Sequence, residues 1–472
     1  MTRFLLSHVL ACLSMGAIFP VHAQTLNEAV GLALPASPDA NASISRRLAA
    51  EQQVSQARGG FLPKVDAHAG YGWQHLDTAQ SRLLDKSHDV LWRQAHGVSL
   101  TQMLFDGDVV RSDVDQARAR LDSASYRVSS VTENQVLQVV GAYLEVLRRT
   151  ETLGLASENL AQHERIYDLI RKRTDSGVGR RADLEQADAR LALARASLRQ
   201  ERGFWDDAQT VFIRLMRRVP QSLQMPYPPM EGFPGTRAAA IDAALERNPG
   251  IKAAQSDLAA AFAQREGARA GFWPRVDLEL QSTHDRNAVI GRSYDSTALV
   301  RLRYNLFRGG ADEARVRETA YLIDEAKHLI ERIRRESEET VAIALSAYAT
   351  ARERNVELER YVRASEATRE AYTGQFNIGQ RSLLDLLNAE NELFSARLAR
   401  TTGFFTEMAG VYRVWAGIGI LRETLQRQPE KSAALRIEPV TKLLEIDATL
   451  MPPAMPVNVR SQDARPGWVL GR

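Results

Sequence analysis

Few groupings in this 472-residue chain could do chemistry. His68, His75, His88 and His96 fall near one another, around what reads as the surface loop of a first hairpin, but they lack the spacing of a metal-ligand set. Gly177-Val178-Gly179 carries glycines in the manner of a phosphate loop. It follows a helical stretch with no strand before it, which is the wrong context for a nucleotide loop. HExxH, GxSxG and P-loop patterns do not occur. The expectation is no catalytic residue, no cofactor and no metal. What remains are polar residues at two corresponding turns: Asp183, just after Gly177 and Gly179, and Arg381, Asp385 and Asn388, just after Gly379. Their chemistry would be electrostatic, because identical carboxylates repeated around a narrow axis repel one another and favour cations. A local role competes with that one: Ser382 and Asp385 fit a capping box, and Asp183 fits an N-cap before Leu184. Taken alone the residues favour capping, and the two roles are compatible. Trp205 and Trp415, near helix ends, read as packing or anchoring residues.

The elements that must hold these turns are duplicated. Ala57-Arg58-Gly59-Gly60-Phe61-Leu62-Pro63-Lys64-Val65-Asp66 recurs as Ala268-Arg269-Ala270-Gly271-Phe272-Trp273-Pro274-Arg275-Val276-Asp277, an offset of 211. Leu104-Phe105-Asp106-Gly107 recurs as Leu306-Phe307-Arg308-Gly309, an offset of 202, and Gly177, Asp183, Ala187 and Leu191 recur as Gly379, Asp385, Ala389 and Leu393 at the same offset. The first copy therefore has nine more residues between its Phe61 and its Phe105. Pro63, Pro274, Gly107 and Gly309 mark the boundaries between strands and helices. Each copy reads helix, two strands, very long helix, turn, helix.

The segment 108–174 has no proline, and its Val136, Val140, Tyr143 and Leu147 step by four, three and four, a coiled-coil stripe. The segment 310–377 matches it, with Ile323, Ile330, Ile333, Val341, Leu345 and Tyr348. Each would be a single helix on the order of 100 Å long. The shorter helices, expected over about 25–58 and 184–217, are roughly half that length. Two stacked end to end would match one long helix, which favours a cylinder over a globule.

Strands are expected over about 62–74, 96–106, 273–284 and 297–307. Val65, Ala67, Ala69, Tyr71 and Trp73 alternate with Asp66, His68, Gly70, Gly72 and Gln74. Val276, Leu278 and Leu280 alternate with Asp277, Glu279 and Gln281, and Val300, Leu302, Tyr304 and Leu306 with Arg301, Arg303 and Asn305. One face is apolar and the other strongly polar. A strand crossing a membrane needs about 9–11 such residues. A soluble amphipathic sheet packed on a helix shows the same alternation, but helices this long would not cover four such strands compactly. Four strands cannot close a barrel, and open edges are not tolerated in lipid. Three copies would supply twelve strands, although the symmetry order does not follow from the residues.

Composition removes other classes. Lys and Arg number 61 against 58 Asp and Glu, a net charge of +3 that does not suit a nucleic-acid binder. Mean hydropathy is −0.30, and the one long apolar run is N-terminal, which excludes a polytopic helical membrane protein. Arg3, the apolar run from Phe4 to Phe19, and Val21-His22-Ala23 read as an export signal over 1–23. Its Cys12 is the only cysteine, so the processed chain would carry none, in keeping with an oxidising compartment. The expected domains are then a first repeat over 24–219, a Pro-rich connector over 220–236, a second repeat over 237–420 and a partly disordered tail over 421–472.

On these residues the sequence resembles the TolC-like outer-membrane efflux protein family. The resemblance covers about residues 25–420 and includes the duplication. It is carried by the paired Phe61-Leu62-Pro63 and Phe272-Trp273-Pro274 segments and the paired Leu-Phe-x-Gly segments. The most specific stretch is Ile378-Gly379-Gln380-Arg381-Ser382-Leu383-Leu384-Asp385-Leu386-Leu387-Asn388-Ala389-Glu390-Asn391-Glu392-Leu393. The resemblance implies a mainly α fold with β structure: a homotrimer whose twelve-stranded outer-membrane β-barrel continues as a long periplasmic α-helical barrel. It makes the turns at Gly177, Gly179 and Gly379 the periplasmic tip. Asp385 then matches a ring of aspartates at the pore entrance, with Asp183 as its counterpart. Asn388 stands where the ring has a second aspartate, so this entrance would be less acidic. Arg381 matches a residue that holds the closed state by polar links between neighbouring helices. The implied partners are outer-membrane lipid, a periplasmic adaptor and an inner-membrane transporter, with an ABC type favoured and nucleic acid absent. The Gly-Gln-Arg-Ser version of the motif is most similar to adhesin exporters and other type I secretion components. The expected function is a passive exit duct opened by iris-like movement of the tips. The alternatives are the duct of a multidrug or metal efflux pump and, from another class, a periplasmic coiled-coil adaptor or structural protein.

Overall fold

Proline sets where the short helices break. In place of one helix over 25–58 the chain forms α1 (Leu26–Ala36) and α2 (Pro38–Arg58). Ser37 is extended at ψ 118°, because a residue ahead of proline is driven out of the helical region. Its hydroxyl accepts the Ala40 N–H, while Pro38, with no N–H to satisfy, fills the first helical position. The connector is followed by the same device: Asn248 ends α6 (Arg237–Arg247) and caps α7 (Pro249–Ala270), accepting the Gly250 N–H at 2.8 Å.

The computed structural model describes residues 24–427 except 76, 86, 88, 89 and 288–290. The expected export signal, His88 and the tail beyond 427 lie outside the described residues. The long helices are α4 (Val109–Asp175) and α8 (Ala311–Asn377), 67 residues each. Each is followed by a 36-residue partner, α5 (Arg181–Met216) or α9 (Leu383–Ile418). α5 starts three residues earlier than expected. The first residues of the tail form α10 (Leu421–Arg427), whose Leu421 and Leu425 are buried in the main core. The Arg422 N–H donates to the Glu133 carboxylate on α4 at 3.3 Å, and burial pushes that carboxyl above its ordinary range.

The strands are β1 (Lys64–His75), β2 (Val90–Phe105), β3 (Arg275–Asn287) and β4 (Gly291–Arg303), with a five-residue helix α3 (Ala79–Leu83) between β1 and β2. They form one antiparallel sheet in the order β1-β2-β3-β4. β2 and β4 each begin six residues earlier than expected, and β4 stops before Tyr304. The ladder explains both: β1 runs to His75, which pairs with Val90, and β3 begins at Arg275, opposite Arg303, leaving later residues without partners. His68, His75 and His96 are therefore strand residues and do not sit in a surface loop. The register aligns the faces. Val65, Ala67 and Trp73 lie opposite Leu100, Val98 and Trp92, and Val276, Leu278 and Leu280 opposite Leu302, Val300 and Ala298. Asp277 and Glu279 share the other face with Arg301 and Arg303.

The main core lies midway along α4 and α8, where α1, α6 and the connector wrap around them. The coiled-coil stripe Val136, Val140, Tyr143 and Leu147 is buried there against Phe212 of α5 and Tyr412 of α9. The Tyr143 hydroxyl lies 2.7 Å from both the Gln24 and the Gln224 carbonyl oxygens, and the Gln224 N–H donates to Gln24. Trp415 Nε1 donates to the Pro229 carbonyl at 2.8 Å. Buried aromatics thus hold the connector through their polar ends. Tyr143→Phe leaves those carbonyls short of a donor, and a loss of about 1–2 kcal/mol is expected in urea unfolding. An unchanged midpoint would remove the hydroxyl from this role.

Candidate functional site at the hairpin tips

Each long helix turns back through a left-handed glycine, Gly177 at φ +79° and Gly379 at φ +78°, a conformation that glycine adopts without penalty. In the first turn the Val178 and Gly179 N–H groups both donate to the Arg173 carbonyl. A Cβ on Gly179 would stand 2.7 Å from Thr174 Oγ1, so the close return of the chain depends on its absence. In the second, the Gln380 N–H donates to the Gln375 carbonyl at 2.8 Å.

Beyond the second turn Ser382 caps α9, its hydroxyl accepting the Asp385 N–H at 3.2 Å. The return bond differs from a full capping box: the Asp385 carboxylate accepts from the Ser382 hydroxyl at 2.8 Å. Arg381 places Nη1 3.8 Å from Asp385, donates from Nε to Gln375 at 3.0 Å, and stacks over the Tyr372 ring at 4.2 Å. It therefore ties the start of α9 to the end of α8. Asp183 does not cap α5. Arg180 is the residue at that position, and Asp183 lies in the first turn, where a carboxylate complements the helix N-terminus. Asn388 is joined to neither aspartate; its Oδ1 accepts from Arg190 of α5 at 3.1 Å, linking the two hairpins. Pro63 and Pro274 stand immediately before β1 and β3, and Gly107 and Gly309 lie between β2 and α4 and between β4 and α8.

Sequence reasoning missed three features. Arg190 is one, although its place two helical turns beyond Asp183 puts it on the same face of α5. Another is an apolar cluster beneath the turns, formed by Ile166 and Ile170 of α4, Ala187 of α5, Phe376 of α8, and Leu383, Leu386 and Leu387 of α9. The third is a polar layer on the side of that cluster away from the turns. There burial raises the Glu390 carboxyl, opposed first by Arg369, with Nε at 3.9 Å, and then by His163 and Arg397. Arg397 also bridges Glu366 at 2.6 Å and Glu158 at 3.4 Å, so it touches α8 and α4 from α9. Among the described residues no group of three or more His, Cys, Asp or Glu could hold a metal, and no helix is long and apolar enough to cross a membrane. The tip can hold its helices together through charge, hydrogen bonds and apolar contact.

Protein CyaE of Bordetella pertussis is 29% identical to the chain over 387 residues, 79% of each protein. The alkaline protease secretion protein AprF of Pseudomonas aeruginosa is 25% identical over 388 residues, 77% of this chain and 78% of its own length. The fold superposes on the Campylobacter jejuni CmeC outer membrane channel with a TM-score of 0.72 at 17% identity, covering 84% of this chain and 85% of that one. The profile of the outer membrane efflux proteins matches residues 29–216 and 240–402, one block for each copy of the duplicated unit. Duplication, sheet and paired long hairpins thus agree with the profile, and the chain belongs to the outer membrane efflux protein family.

Proposed function

We propose that this outer-membrane channel, which extends into the periplasm, is the exit duct of a type I protein secretion machine. It is a passive conduit. Three copies close a twelve-stranded barrel, and an ABC-type inner-membrane transporter supplies the energy through a periplasmic adaptor that docks at the hairpin tips. The observation that carries the reading is the sheet. It is apolar on one face and charged on the other, and β1 and β4 have no strand partner on their outer edges among the described residues. Such a sheet is admissible in lipid only when copies close it. The similarity to a protease secretion protein supports a protein cargo.

Opening moves the tips apart. Arg381, Asp385, Asn388 and Asp183 form the gate region, in which Arg381 restrains α9 against α8 and Asn388 restrains it against α5. Planar-bilayer recordings test this. Small conductance is expected for the wild type and larger conductance for Arg381→Ala, because three contacts to α8 and Asp385 are lost together. Equal conductances would remove Arg381 from the gate. An adaptor or structural protein would be released from washed membranes by mild treatment, whereas this chain is expected to need detergent. A gene neighbourhood with a proton-driven pump in place of an ABC transporter would favour drug efflux.

A further inference from the structure

Six arginines stand on the strands. Arg93, Arg275, Arg301 and Arg303 lie on the polar face and pair there with Asp285, Asp277 and Glu279. Arg286 and Arg292 lie on the other face. They are directly opposite each other on β3 and β4, in step with Leu280 and Leu278 on one strand and Ala298 and Val300 on the other. Both are exposed, and neither has an ion-pair partner among the described residues. Two like charges held opposite each other across a strand pair repel, and no ion pair among the described residues offsets that.

Their height on the sheet is informative. Arg286 is ten residues beyond Val276 on a strand rising about 3.3 Å per residue, and at a tilt near 40° this is about 25 Å, the full height of a barrel's apolar band. The two guanidinium groups therefore stand at the outer rim, at the level of Tyr71 and one row from Trp73 and Trp92, the second of which stacks on Tyr71. Cations cost least there and far more at the membrane centre. Gln94 lies beside Arg286 in the same row. The next row toward the membrane holds His96, His284 and Tyr294, with ring centroids 4.6 and 4.2 Å apart, which gives the arginines a polar ledge.

We propose that Arg286 and Arg292, with Gln94, His96 and His284, form an outward-facing site for the phosphate groups of an anionic outer-leaflet lipid. Guanidinium groups bind phosphate oxygens in a bidentate fork, and one phosphate between the two arginines cancels their repulsion. The inference rests on the apolar face being the lipid face of the proposed duct. A lipid is the occupant, and not free phosphate, because beyond the ledge and the Ser282–Ser296 pair the same face continues toward the membrane centre as Leu280, Leu278, Val300 and Leu302, which would contact acyl chains.

The test uses the full chain, assembled and detergent-solubilised, titrated with fluorescent bis-phosphorylated lipid A and with its dephosphorylated form. The wild type is expected to prefer the phosphorylated lipid by about tenfold, Arg286→Gln/Arg292→Gln to lose that preference, and Arg286→Lys/Arg292→Lys to keep part of it. Equal affinity of the wild type for the two lipids overturns the site, as does a preference that survives in the glutamine variant. Displacement of lipid A by equimolar inorganic phosphate overturns the assignment to lipid. Bilayer conductance separates this from the duct: a wild type that conducts but does not discriminate ends the site alone, and one that discriminates but does not conduct ends the duct alone.

Discussion

Gly107→Ala is expected to destabilise the protomer by about 2–5 kcal/mol, whereas Gly309→Ala, at the equivalent position of the second copy, costs the isolated protomer only about 1–2 kcal/mol. Both glycines have positive φ, +68° and +64°, so alanine meets the same left-handed strain at each. They differ in their surroundings. A Cβ on Gly107 would lie 2.5 Å from Trp273 Cβ and 3.0 Å from the Ala270 carbonyl, which the backbone cannot easily yield, whereas nothing stands within 4 Å of Gly309. The neighbouring phenylalanines follow suit: Phe105 is 44% exposed and Phe307 83%. In the duplication Trp273 corresponds to Leu62, itself exposed in the single chain. A closed barrel sets Leu62 of the next copy beside Gly309, so Gly309→Ala should spare the protomer in urea and deplete the trimer in light scattering. Wild-type trimer yield from Gly309→Ala would show that closure brings no neighbour to that junction.

That contrast also shows what was legible in the residues and what was not. The long helices could be read because α4 and α8 contain no proline and carry apolar residues at coiled-coil steps, four-three-four from Val136 to Leu147 in α4 and four-three from Val341 to Tyr348 in α8, which tertiary packing reinforces. The break at Ser37 was equally readable from Pro38, but the overall length of the segment obscured it. The outer ends of β2 and β4 were not readable. On β4 the positions of the apolar face there are Arg292, Tyr294 and Ser296, so the alternation fades while the ladder continues through its hydrogen bonds. At the tip, Arg381 and Asp385 are four residues apart and could be paired from sequence. Asn388 could not be paired with Arg190, because that contact joins two hairpins. The same holds for buried Asp277 and Arg303, 3.7 Å apart, whose pairing follows from the β3–β4 register, whereas the 2.9 Å bond from Arg275 to Asp277 joins residues two apart on one strand and follows from spacing.

Leu387→Ala is expected to loosen the tip more than any single polar substitution, by about 3 kcal/mol. The polar ties are weak singly: Arg381 and Asp385 are each more than a third exposed, and solvent screening leaves such a pair about 0–1 kcal/mol. Leu387 is fully buried among side chains of α4, α5 and α8, so its truncation opens a cavity shared by all four tip helices. Leu384, 45% exposed one turn earlier on α9, is the control, with an expected cost below about 0.5 kcal/mol. Hydrogen exchange at 176–180 and 378–382 should accelerate in Leu387→Ala and not in Leu384→Ala, and bilayer openings should lengthen in the same order. If both variants kept wild-type protection, closure would rest on polar ties after all. The expected ranking instead makes the apolar cluster the spring of the gate and the Arg381 contacts its latch: the latch is exposed where a docking adaptor can reach it, and the spring lies where it cannot.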